Sequence, residues 1–240
     1  MTSAELLYAL AAAGANVLGA VAVISRKRWS LRALDLMLSL AAGFLISVAV
    51  LDLFPEAIAR GGTRAAFVVL AAYLLVHLTQ HTLGRHFHFG EETHEVSEVV
   101  SISALIGLLL HTFVDGVAVA SGLRVSNSLG ALVFLAVLLH KFPEGLAISS
   151  LFLAAGAGRA RALLAAAALG AATFIGVLLT DQVPLLQTNG LAIAAGVTLY
   201  VGASNLVPEF QAKRGWAIPT SFLFGCALYL AARSLVRSSL

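Results

Sequence analysis

The chain has 240 residues, of which 60% are hydrophobic and 11% are charged, and its mean hydropathy is +0.94. This composition excludes an ordinary soluble domain and places the chain in a lipid bilayer. The pI of 9.4 and the net charge of +3 do not indicate a nucleic-acid partner, because the basic residues form short groups between apolar runs. The single Cys226 excludes an intrachain disulfide and argues against a thiolate metal site.

Polar breaks divide the chain into apolar segments that are each long enough to cross a bilayer, which takes about 20 residues of helix. We therefore predict an all-α polytopic membrane protein with eight transmembrane helices, forming a single domain over residues 1–240. The predicted spans lie near residues 4–24, 34–56, 64–82, 99–123, 128–152, 160–181, 188–209 and 216–236.

The basic residues between the spans predict the orientation. One side holds nine: Arg26, Lys27, Arg28, Arg32, Arg85, Arg159, Arg161, Lys213 and Arg214. The other side holds five: Arg60, Arg64, Arg124, Arg233 and Arg237. Because cytoplasmic loops carry the excess of Lys and Arg, we expect both termini outside the cytoplasm and the protein in the cell (inner) membrane.

The second span has an echo in the seventh. Gly43 to Glu56 matches Gly196 to Glu209 at a constant offset of 153 residues, on spans that run in opposite directions. Inverted repeats that meet near the midplane are a recurring transporter architecture. The repeat also provides four candidates for a metal pathway, in an outer and an inner vestibule. They are Asp52, Glu56, Asn205 and Glu209, whose alternative role is to cap helix ends and bond their neighbours.

The third span ends in a histidine-rich stretch that continues into the following loop. Tracts of this kind bind metal readily, and on the cytoplasmic side they could receive ions leaving the protein. The alternative is a solvated polar loop, since the spacing defines no single coordination geometry. The candidates are His77, His81, His86, His88 and His94.

The fourth and fifth spans carry the chemistry. His111 and Asp115 are four residues apart, as are His140 and Glu144, so each pair lies on one helix face near the middle of its span. An ionisable side chain at this depth costs on the order of 2.5–3.5 kcal/mol unless it is paired. Imidazole and carboxylate together suit Zn²⁺, and also Fe²⁺, Mn²⁺ or Cd²⁺, so the sequence predicts an intramembrane metal site.

Two neighbouring features support water access to this site. Pro143 removes the backbone donor for the carbonyl of Leu139, and the glycines Gly116 and Gly145 are expected to loosen the two helices. The alternative is that the four ionisable residues form structural hydrogen bonds between packed helices.

The segments His111 to Gly116 and His140 to Gly145 resemble the fourth- and fifth-helix motifs of the ZIP family of divalent metal transporters, of the bacterial type. The proline-glutamate endings of the second and seventh spans fit the same family. The resemblance implies zinc uptake toward the cytosol, with His111, Asp115, His140 and Glu144 as ligands of the main transport site. It also implies that helices one, four, five and six move as an elevator against the others, in a homodimer.

Two positions depart from that family. Where members that bind a second metal often have Asn and an acidic residue, this chain has Thr112 and Lys141, and its sixth span has no interior carboxylate. A single-metal site is therefore expected, with the ammonium of Lys141 standing in for a second ion. The alternative is that Lys141 points along its helix toward solvent.

Other functions use the same side chains. An intramembrane zinc hydrolase needs a general base beside the metal, and the chain has no His-Glu-x-x-His motif and no evident carboxylate for that role. A channel-like cation pathway is also compatible with the sequence. We expect a transporter rather than an enzyme, with the metal as its substrate and not as a cofactor.

Overall fold

A computed structural model of the chain describes residues 2–25, 31–83, 98–211, 213 and 215–238, and all regular structure in these residues is helical. Two π-helical segments, Ala49–Leu53 and Val201–Leu206, interrupt the α-helices. In chain order the α-helices are α1 (Ser3–Ser25), α2 (Leu31–Val48), α3 (Phe54–Leu83), α4 (Glu98–Val125), α5 (Asn127–Ala154), α6 (Arg159–Thr180), α7 (Pro184–Tyr200), α8 (Val207–Gln211) and α9 (Ala217–Ser238). The predicted all-α class is confirmed.

The described part of the chain contains seven apolar helical segments long enough to cross a membrane. The longest, Arg32–Gln80, has 49 residues and breaks at Gly62, where φ is 56° and ψ is −147°. Such a conformation is accessible to glycine because it has no Cβ. This segment therefore contains both the second and the third predicted spans, and the fold is a multi-pass membrane bundle.

Contacts with the seventh span show that the chain reverses at Gly62. Along the segment before Gly62, the contacting residues of the seventh span have decreasing numbers. Along the segment after Gly62, the contacting residues have increasing numbers. Ile46 lies beside Gly202, Val69 beside Gly196 and Tyr73 beside Tyr200, while Ala57 and Ala192 line the same cavity. The second span is thus antiparallel to the seventh, and the third is parallel to it.

The start of α1 and the end of α9 lie at the end of the bundle that contains Gly62, which we call the hairpin end. Near the start of α1, Tyr8 stacks on Phe134 near the start of α5, with ring centroids 4.1 Å apart. Near the end of α9, Arg233 bonds to Asp52 just before the hairpin. A chain that crosses the membrane an even number of times begins and ends on the same side, as observed here.

The helices pack in two groups. Helices α1, α4, α5 and α6 pack chiefly against one another, and α2, α3, α7 and α9 form a second group. The groups meet mainly where α4 packs on α7 and where α2 packs on α5. This division places the fourth and fifth spans, with their ionisable residues, inside one group.

The two π-helical segments fall at equivalent positions of the repeat. Adding the offset of 153 to Ala49–Leu53 gives 202–206, which lies within Val201–Leu206. A π-helical turn widens the hydrogen-bond register by one residue and occurs frequently at functional sites. The structure therefore extends the sequence repeat to backbone geometry.

The glycines beside the site allow close helix crossings, which differs from the predicted loosening. A Cβ on Gly116 would overlap the carbonyl oxygen of Thr173 in α6, and a Cβ on Gly145 would overlap that of Asn16 in α1. Helix α5 continues through Pro143 to Ala154. These glycines bring backbones together, as small residues do where membrane helices pack.

The seventh helix begins at Pro184, four residues before the predicted span near 188–209. The polar residues in its first turns bond within the helix. Thr188 donates to the carbonyl of Pro184, and Asn189 donates to that of Leu185. Proline at the first helical position and these bonds explain why a polar sequence is helical here.

Candidate metal site

The four predicted ligands form one buried cluster between α4 and α5. His111 and His140 each lie at the fourteenth position of a 28-residue helix, halfway along it. One donor atom from each of His111, Asp115, His140 and Glu144 lies within 4.8 Å of the other three. Ligands of a tetrahedral Zn²⁺ at about 2.1 Å are roughly 3.4 Å apart, so a contraction of about an ångström would close the cluster around an ion.

The histidines and carboxylates pair across the two helices. His140 Nε2 is 3.2 Å from Asp115 Oδ2, and His111 Nε2 is 3.1 Å from Glu144 Oε1. All four residues are less than a tenth exposed. Because each pair joins α4 to α5, the i, i+4 spacing on each helix produces a single four-residue cluster.

A backbone contact orients the imidazole of His140. Its Nδ1 is 2.9 Å from the carbonyl oxygen of Ala136, one turn earlier on α5. A carbonyl can only accept, so Nδ1 donates this bond, and Nε2 is the ring nitrogen that faces Asp115 and the cluster. Second-shell bonds of this kind fix the tautomer of metal-binding histidines.

The residues at the two departing positions also contact the cluster. The ammonium of Lys141 is 2.7 Å from Asp115 Oδ2 and 2.7 Å from Glu144 Oε2, and the side chain has no exposed surface. Thr112 Oγ1 donates to Glu144 Oε1 over 2.8 Å. Lys141 therefore points into the site and not toward solvent.

Two polar groups near the cluster are buried without a hydrogen-bond partner. They are Nδ1 of His111 and both side-chain polar atoms of Asn16 in α1. The backbone of Asn16 lies against Gly145, which directly follows Glu144. Sequence analysis did not single out Asn16, although an amide inside the first apolar span was an available indication.

The pathway candidates lie at opposite ends of the bundle. Asp52, at the hairpin end, is buried and accepts hydrogen bonds from Tyr229 and Arg233 of α9. Glu56 pairs with Arg60 at 2.7 Å on the surface. Asn205 is half-buried in the second π-helical segment, and the side chain of Glu209 lies outside the described residues.

One of the two donors to Asp52 is Arg233, which the charge pattern counts among the basic residues that set the topology. Arg233 lies within the last helix, and its guanidinium is 3.0 Å from Asp52 Oδ1. A helical arginine that pairs with a buried carboxylate is a structural partner of that carboxylate. Only the tertiary contact distinguishes it from a topology-setting loop residue.

The histidine-rich stretch lies largely outside the described residues. This holds for His86, His88 and His94 and for the side chain of His81. His77 packs its ring edge-on against Tyr200, with centroids 5.9 Å apart. The predicted metal binding by these histidines stays a prediction.

A bundle of apolar helices with two imidazoles and two carboxylates converging inside it defines a membrane protein with a site suited to a divalent cation. The family model of the ZIP zinc transporters matches residues 76–232, more than half of the chain. The chain belongs to the ZIP family, and it is a multi-pass transporter of divalent metal ions, which are its substrate. No curated protein matches the sequence.

Proposed function

We propose that the protein takes up zinc toward the cytosol by binding it at His111, Asp115, His140 and Glu144. The observation that carries this proposal is the convergence of four donor atoms within 4.8 Å at the middle of two helices. If the four residues served only as structural hydrogen bonds, two separate His–carboxylate pairs would suffice and the pairs would not need to lie together. Zinc is favoured over iron, manganese and cadmium because two nitrogens and two oxygens suit its tetrahedral coordination.

The path of the ion through the bundle follows the repeat. We place an outer vestibule at Asp52 and Glu56, and an inner vestibule at Asn205 and Glu209. The positions are related by the 153-residue offset and lie at opposite ends of the bundle. In this proposal Asp52 exchanges its bond to Arg233 for the passing ion, because both cations compete for one carboxylate.

A cavity at the hairpin end is a poor entrance for a cation. A cavity of about 340 Å³ lies between α3, α4 and α7 there, and Arg60, Arg64 and Arg124 line it. Arg60 pairs with Glu56 and Arg124 with Asp181, but the residues that line the cavity include three guanidinium groups and no carboxylate, which disfavours a divalent cation. We therefore assign metal entry to the side of Asp52.

The movement that carries the ion is an elevator step of α1, α4, α5 and α6 against α2, α3, α7 and α9. The packing of the helices in these two groups supports it, because a rigid-body movement needs tight contacts within each group. The site lies entirely within the first group, so an ion bound there would move with it.

Orientation and assembly complete the proposal. The excess of Lys and Arg on one side predicts that the hairpin end and both termini face outward from the cell (inner) membrane. The resemblance to the family implies a homodimer. Neither point affects the composition of the site.

Zinc binding and zinc transport by the purified protein test the proposal together. We expect one zinc ion per chain, saturable zinc uptake into liposomes, and anomalous scattering from one ion between α4 and α5. A chain that takes up zinc without saturation would indicate a channel-like pathway. A chain that binds no zinc at these four residues would contradict the site.

A further inference from the structure

The ammonium of Lys141 already occupies a cation position in the site. It lies 2.7 Å from one oxygen of Asp115 and 2.7 Å from one oxygen of Glu144, in a side chain with no exposed surface. An ammonium has three donors and no acceptor, so a buried one needs such partners. The same two carboxylates are predicted to hold the transported metal.

Glu144 and Asp115 divide their oxygens differently between the ammonium and the two imidazoles. Glu144 turns Oε2 toward Lys141 and Oε1 toward His111, so its carboxylate can bridge two cations. Asp115 Oδ2, in contrast, is shared between Lys141 and His140. An ion that binds between Asp115 and His140 must therefore compete with the ammonium for this oxygen.

The charge of the ammonium affects both the movement of the metal-loaded site and the return of the empty site. With neutral imidazoles, two carboxylates and Lys141 leave the empty site with one negative charge, and a divalent ion leaves it with one positive charge. Without the ammonium, the empty site would carry two negative charges and the metal-loaded site would be neutral. The cost of burying a charge in a low-dielectric medium rises with its square, so the empty site would then be the hardest to move.

We propose that Lys141 is a tethered counter-ion that lets the empty site return across the membrane and weakens metal binding enough to permit release. The proposal rests on the function proposed above, in which the four residues form the site of a carrier. It assigns Lys141 to the return step, which net uptake requires and metal exchange does not.

The experiment compares net zinc uptake with zinc exchange at equal zinc on both sides of a liposome. In Lys141→Gln and Lys141→Met we expect net uptake to fall at least about tenfold while exchange stays within about threefold. We also expect zinc affinity to rise by roughly tenfold or more, because the repulsive charge is removed. Lys141→Arg, which keeps the charge, should retain much of the net uptake.

Lys213→Gln is the matched control, because Lys213 also pairs with a carboxylate, that of Asp35, but does so away from the cluster. It should change neither rate. Equal losses of net uptake and exchange in Lys141→Gln and Lys141→Met, or no change in either, would overturn the counter-ion role. If the wild type binds zinc at the four ligands in those cases, the proposed function stands and only the role of Lys141 fails.

Discussion

Gly145 in α5 lies against the backbone of Asn16 in α1 so closely that a Cβ on Gly145 would overlap the Asn16 carbonyl oxygen. The equivalent glycine of α4, Gly116, makes the same kind of contact with Thr173 of α6. The pattern continues one turn along the partner helices, where Gly19 faces the carbonyl of Phe142 and Gly176 faces that of Phe113. The crossing of α1 with α5 and the crossing of α6 with α4 therefore have matching glycine contacts, in addition to the repeat of the second span in the seventh.

Because Glu144 directly precedes Gly145, the crossing positions one of the four proposed metal ligands. We predict that Gly145→Ala lowers the melting temperature of the detergent-solubilised protein by roughly 2–12 °C, as overpacking costs about 1–3 kcal/mol. Zinc uptake should fall with it. The control is Gly14→Ala in α1, because a Cβ on Gly14 meets nothing within 4 Å. Wild-type melting of Gly145→Ala would contradict the close contact.

Removal of any ligand should impair transport without unfolding the protein. We predict that alanine at His111, Asp115, His140 or Glu144 lowers zinc uptake at least about tenfold, a loss of roughly 1.4 kcal/mol or more in stabilisation. Uptake into liposomes at matched protein content measures the effect. Ser25→Ala, which removes an exposed hydroxyl outside the cluster, should transport at the wild-type rate. Normal uptake by all four ligand variants would refute the site assignment.

The number of bound ions tests the single-metal prediction. Lys141 occupies the place where a second ligand acid would stand, so Lys141→Asp exchanges a positive charge for a donor. We predict one zinc per chain in the wild type, and a second ion or tighter binding of the first in Lys141→Asp. A titration with metal analysis of the purified proteins measures both. Two ions in the wild-type cluster, or an unchanged titration in the variant, would count against the prediction.

Cysteine labelling tests the orientation. In a Cys226→Ala background, which removes the chain's single cysteine, we predict that Gly61→Cys reacts with an impermeant reagent from outside the cell. Gly90→Cys, in the loop after the third span, should react only after the cytoplasmic side is opened. Reaction of Gly90→Cys in intact cells would show that the predicted topology is inverted.

Local patterns in the sequence determined the eight spans, the four converging residues and the repeat of the second span in the seventh. Apolar length sets where a chain can cross a bilayer, and a spacing of four places two side chains on one helix face. Both properties are local, so neither depends on the neighbouring helices. The sequence also identified Lys141 as unusual but left its direction open.

Tertiary structure alone decided what lies across each helix interface. In the folded chain Lys141 contacts both carboxylates, Arg233 pairs with Asp52, and the backbone of Asn16 lies against Gly145. The contacts of Arg233 with Asp52 and of Asn16 with Gly145 join helices that are distant in sequence, and the contact of Lys141 with Asp115 joins two neighbouring helices. The partners in these contacts share no residue pattern. Asn16 and Thr173 occupy equivalent places although their side chains differ, because the crossing uses only their backbone oxygens, which no residue type encodes.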